Sequence, residues 1–91
     1  MAYKIIYTAS YLRIAAKFAH KHPELLMQYQ KTLELLEADP QHPSLRLHKL
    51  KGKLGGLYSV SINISYRITL IMIIQESSII PVDIGKHEEV Y

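Results

Sequence analysis

The chain has 91 residues, 48% of them hydrophobic and 21% charged, with a formal net charge of +3 and no cysteine. That size and apolar content fit one folded domain over residues 1–91 and argue against disorder. The missing thiols exclude a disulfide framework, a thiolate zinc site and a cysteine nucleophile together.

"YKIIY" (3–7) is short, β-branched and aromatic, which predicts a strand. "TAS" offers hydroxyl N-caps, and Tyr11, Ile14, Ala15 and Phe18 then recur at helical spacing, with Arg13, Lys17, His20 and Lys21 on the opposite side. That pattern predicts an amphipathic helix with a basic outer face. "HKHP" breaks it, and Pro23 with Glu24 suits the first turn of a second helix. Leu26, Tyr29, Leu33 and Leu36 form its apolar stripe, and "ADP" ends it because Pro40 disfavours helix at Asp39. "QHPSLRLHKLKGKLGG" (41–56) reads as an irregular basic stretch, with turns at its glycines.

From Tyr58 the period becomes two: Tyr58, Val60, Ile62 and Ile64 alternate with Ser59, Ser61, Asn63 and Ser65. This predicts a strand with one buried face, then a turn near 63–66 that no Gly or Pro marks. "RITLIMII" (67–74) is uniformly apolar and reads as a central strand. "QESS" turns the chain into a last strand, "IIPVDI" (79–84), where Pro81 needs an edge or a bulge. The order β-α-α-β-β-β predicts an α+β domain: a helical hairpin on one face of a four-stranded, mainly antiparallel sheet, with the other face left for binding.

The longest apolar run, "ITLIMII", is too short to cross a bilayer, and "MAYKIIYTAS" lacks the layout of a cleavable signal, so a cytoplasmic protein with no membrane partner is expected. No acidic residue falls between Asp39 and Glu76, whereas Arg46, Lys49, Lys51, Lys53 and Arg67 do, with His42 and His48. Such a bias predicts a polyanionic partner; the competing reading is a loop made basic for solubility. The histidines at 20, 22, 42, 48 and 87 form no compact ligand spacing, so neither a metal nor another cofactor is expected.

"HPSLRLHKLKGKLGGLYSVSINISYRI", followed by "VDIGKHEEVY", resembles the RelE/ParE superfamily of bacterial toxins, and within it the RelE and YafQ branch. The resemblance covers nearly the whole chain and rests on the order and spacing of three pieces: the "L-x-G-x-L-x-G-x-Y" segment, "YRI", and "IGKHEEVY". It implies a toxin of a type II toxin–antitoxin pair, an mRNA interferase that cuts messenger RNA in the ribosomal A site, beside the 16S rRNA. It also implies a cognate antitoxin that holds the toxin inactive in a hetero-oligomer.

That chemistry requires no metal. The RNA 2′-hydroxyl is the nucleophile; the protein moves protons, for which histidine suits, and offsets charge at phosphorus, for which arginine or lysine suits. The resemblance makes His87 the general acid or base, Tyr91 the aromatic ring that holds a base, Arg67 the contact to the scissile phosphate, and His48 a second catalytic histidine. Arg46, Lys49, Lys51 and Lys53 are assigned to anchoring RNA or ribosome phosphates. Each has a plainer counterpart: a surface histidine for His87, a tyrosine at the core edge for Tyr91, and an ion pair of Arg67 with Asp83 or the terminal carboxylate. Gly85 is expected to let the chain turn sharply out of the last strand and bring Tyr91 near Arg67. The chain departs from active relatives at Ser59, Ser61 and Asn63, where those carry a charged residue. A non-catalytic protein, either a ParE-like gyrase inhibitor or a degenerate antitoxin binder, is therefore the alternative.

Overall fold

The computed structural model describes residues 2–52 and 55–86. Strand β1 (Lys4–Ile5) leads into helix α1 (Ala9–Lys21), and a one-turn 3-10 segment at Pro23–Leu25 leads into α2 (Leu26–Ala38). Then come β2 (His48–Lys49), β3 (Tyr58–Ser61), β4 (Tyr66–Ile73) and β5 (Ser78–Lys86). The sheet order is β1-β5-β4-β3-β2, with β1 parallel to β5 and the other pairs antiparallel. The α+β class and the order of the main elements are those expected. The fifth strand is the addition: His48–Lys49, inside the stretch read as irregular, pairs with Ser59 and Tyr58. Two residues are too few to carry a period in the sequence.

Local chemistry explains the boundaries. The Thr8 hydroxyl accepts the Tyr11 N–H at 3.1 Å and caps α1. Between β3 and β4, Asn63 takes the place of the absent Gly or Pro. Its side-chain oxygen accepts the N–H of Ser65 at 2.9 Å and of Tyr66 at 2.8 Å, folding the hairpin onto itself. Pro81 sits where no donor is required. The β1 pairing ends at Ile79, and the register between β4 and β5 shifts at Thr69/Leu70, which leaves Val82 as the extra residue of a bulge.

Both helices cover one face of the sheet. Tyr11, Phe18, Tyr29 and Leu36 pack on Val60, Ile62, Ile68, Leu70 and Ile79. Leu36 is fully buried, so Leu36→Ala opens a cavity costing about 2–5 kcal/mol. Leu26, expected in the same stripe, is 38% exposed, and Thr32 is buried in its stead. The 3-10 turn ahead of α2 starts the helix at Leu26 and leaves that residue on the rim. Tyr11 and Tyr29 share a hydrogen bond of 2.7 Å between their hydroxyls, which satisfies both phenols inside the core.

Candidate functional site

In an antiparallel sheet, residues in register share a face and alternate residues along a strand change face. Val60 and Ile68 are in register and belong to the helix-covered core, as do Tyr58 and Leu70. The alternate rows therefore lie on the far face. One row is His48, Ser59, Thr69 and Asp83; the next is Ser61, Arg67 and Gly85. His48 and Arg67, separated by 19 positions in the chain, thus come to one face, with Ser59 between their strands.

Arg67 is 8% exposed, and its Nη1 donates to the Ser59 hydroxyl at 3.5 Å. A guanidinium so placed needs acceptors around it, and Ser59, fully buried beside it, supplies one. The Asp83 carboxylate, expected as an ion-pair partner of Arg67, accepts the N–H of Ile84 at 2.8 Å. Gly85 does not turn the chain out of the strand: β5 runs through Lys86, and Gly85 lies across from Arg67. The strand continues because Tyr66 on β4 still pairs with Lys86. A glycine there leaves the position next to the guanidinium without a side chain.

His48 is half-buried on the edge strand, and its Nδ1 lies 3.3 Å from the carbonyl of Arg46. A carbonyl only accepts, so in this contact Nδ1 is the donor. Arg46 adopts a left-handed conformation with φ 50, which turns the chain into β2. Arg46, Lys49 and Lys51 are all exposed along this edge; Lys49, in register with Tyr58, belongs to the helix side of the sheet and not to the face of His48. His87, Tyr91 and Lys53 lie outside the described residues.

Grooves also open beside the helices. One of about 500 Å³, between α2 and the Pro43–Leu45 turn, touches Ser61 but neither His48 nor Arg67, and carries both Lys31 and Glu34. The other, of about 470 Å³, lies between α1 and β5 and is lined by Lys17, Lys21, His22, Tyr66 and Lys86 among others. Here His22 Nε2 meets the Tyr66 hydroxyl at 3.1 Å, and the His22 ring packs on Phe18 and Tyr66. Sequence reading found the basic face of α1 but missed this pairing. His22 and Tyr66 are 44 positions apart, and no local pattern links them.

No helix is long and apolar enough to cross a membrane, among the described residues. No family model matches the sequence, and no curated protein matches it. Solved structures do. E. coli YafQ is similar with a TM-score of 0.75 and 13% identity over 98% of both chains. The E. coli DinJ–YafQ toxin–antitoxin complex gives 0.74 and 15%, over 100% of this chain and 99% of that one. The toxin–antitoxin complex RelBE2 of Mycobacterium tuberculosis gives 0.67 and 18%, over 96% of this chain and 100% of that one. The chain has the RelE/YafQ-type toxin fold.

Proposed function

We infer that the protein is the toxin of a type II toxin–antitoxin pair and a metal-independent endoribonuclease that cuts messenger RNA on the ribosome. The observation that carries this reading is the sheet face bearing His48 and Arg67, with Arg46, Lys49 and Lys51 exposed along the β2 edge, on a fold shared over 98% of the chain with YafQ.

The reaction divides among these groups. A histidine removes the proton of the RNA 2′-hydroxyl, whose oxygen attacks the adjacent phosphorus. Arg67 offsets the negative charge that builds on the phosphoryl oxygens. The bond to the 5′-oxygen breaks, a protonated group returns a proton to that oxygen, and a 2′,3′-cyclic phosphate remains. His48 and His87 are assigned the two proton steps, and Tyr91 holds the unstacked base. The exposed Arg46, Lys49 and Lys51, together with Lys53, neutralise phosphates of the RNA or of the 16S rRNA without reading sequence. An antitoxin is the protein partner, as DinJ is for YafQ in the DinJ–YafQ complex.

Ser59 and Ser61 favour a second reading. They stand on this face as neutral hydroxyls, so the chain lacks one cation beside the phosphate and would bind without cutting. Primer extension on cellular mRNA after brief induction separates the two. Cuts inside translated codons, lost with His87→Ala, support the nuclease. Growth arrest without such cuts, or no arrest at all, supports a gyrase inhibitor or a degenerate antitoxin binder respectively.

A further inference from the structure

Tyr66 opens β4 and stands directly before Arg67. Neighbours on a strand point to opposite faces, so Arg67 leaves the sheet on the far face while Tyr66 packs against the helix-side core. Its ring meets Phe18 edge-on with centroids 5.3 Å apart, and the His22 ring at 4.8 Å. At the tip of the ring, the Tyr66 hydroxyl and His22 Nε2 are 3.1 Å apart. His22 is itself anchored. It caps the C-terminus of α1, its N–H donating to the Phe18 carbonyl at 2.8 Å, and its Nδ1 lies 3.5 Å from the Glu24 carboxylate. The Tyr66 backbone is held separately: Asn63 Oδ1 accepts its N–H at 2.8 Å, and its carbonyl accepts the Ile62 N–H at 2.9 Å. Those backbone bonds tie Tyr66 to its own hairpin and not to the helices. Apolar contact is non-directional and leaves a ring free to slide, whereas a hydrogen bond at its tip sets depth and tilt.

We propose that His22 is a positioning residue for Arg67: by holding the Tyr66 hydroxyl it fixes the height at which β4 starts on the helices, and with it the point from which the guanidinium meets the phosphate. The inference rests on the nuclease reading above, and gives a residue of the helix layer a part in the site on the far face. The lever is short. Tyr66 and Arg67 share a peptide unit, and both are tied to β5, Tyr66 to Lys86 and Arg67 to Gly85. A tilt of the Tyr66 ring therefore turns the backbone that carries Arg67. The Ser59 hydroxyl, reached by Arg67 at 3.5 Å, is at the outer limit of hydrogen-bond distance and resists such a turn little. Small errors of placement matter, because charge stabilisation depends on where the cation stands when the transition state forms. A purely structural contact would show itself in lost stability alone.

Tyr66→Phe keeps the ring and removes the hydroxyl, and His22→Ala removes its partner. Calorimetry shows that each variant is folded at the assay temperature. In steady-state cleavage of ribosome-bound mRNA, kcat should fall about tenfold in each with KM nearly kept. The double variant should lose no more than either single one, since the same contact is gone in all three. A second measurement needs no cleavage. The NMR resonance of the Arg67 Nε–H should shift in both variants, although both substitutions lie on the other side of the sheet. Full activity in a folded Tyr66→Phe overturns the proposal. So do losses that multiply in the double variant, a loss expressed in KM alone, or an Arg67 resonance that stays in place. If the parent cuts no mRNA while the Arg67 resonance moves in both variants, the positioning contact stands and the nuclease reading alone falls.

Discussion

Arg67 reaches Ser59 across the β3–β4 ladder, a hydroxyl meeting a buried guanidinium, and Gly85 is its register partner on β5. The strand pair places the cation at the centre of the sheet, while β2 sets a histidine on the same face from the edge. In the proposed reaction, a charge held in place before the phosphate arrives would need little rearrangement, which favours transition-state stabilisation.

Arg67→Lys keeps the charge and loses the planar fork. If Arg67 contacts the reacting phosphate, mRNA cleavage should fall by about 10²–10³ with the thermal midpoint nearly kept. Arg67→Ala should lose cleavage and some stability together. Single-turnover cleavage beside calorimetry checks this. A lysine variant as stable and as active as the parent would reduce Arg67 to an element of packing.

The exposed cations of the β2 edge answer to a different measurement. If they neutralise phosphates as proposed, each contact releases counterions, and removing one such cation flattens the slope of log K against log salt by roughly 0.7–0.9. Lys49→Gln plus Lys51→Gln should weaken ribosome binding in proportion and leave the thermal midpoint unchanged, because both side chains are exposed. Titration at several salt concentrations gives the slope. An unchanged slope would return the two lysines to solvated surface.

Where periodicity runs long, the fold is legible. The two helices, the polar-faced strand from Tyr58 and the central β4 all lie close to their predicted places. The hairpin turn falls near residues 63–66 as expected, although no glycine or proline marks it. Asn63 carries it through two side-chain hydrogen bonds, a signal one residue long. His48–Lys49 escapes as a strand because an edge pairing of two residues depends on what lies beside it. Gly85 misleads for a related reason. A glycine signals a turn in the sequence, but in the sheet it is the residue facing Arg67. His48 and Arg67 are legible as residue types; that they share a face follows from the register of β2, β3 and β4, which the sequence does not display.

The two buried phenols set a limit on stability at high pH. Burial pushes the Tyr11 hydroxyl far above its ordinary value, with its hydrogen bond to Tyr29 adding to the effect, and burial also raises Tyr29. The sign follows from linkage. In the unfolded chain both phenols ionise near pH 10, while in the folded protein they stay protonated above it. The stability they contribute is therefore complete below about pH 10 and is lost as pH rises beyond it. Urea midpoints should hold flat from neutrality to about pH 9 and then drop steeply. Tyr11→Phe removes one of the two ionisations and should make that drop shallower. At neutral pH the same variant leaves the Tyr29 hydroxyl without its core partner, at a cost of about 1–2 kcal/mol. For a domain of this size each kcal/mol moves the thermal midpoint by about 4–8 °C. Tyr29→Phe should cost a similar amount, and the double variant less than the sum, since the second substitution removes a hydroxyl already unpaired. Additive losses with an unchanged alkaline limb would show that the hydroxyls act separately, each satisfied by water in place of the other.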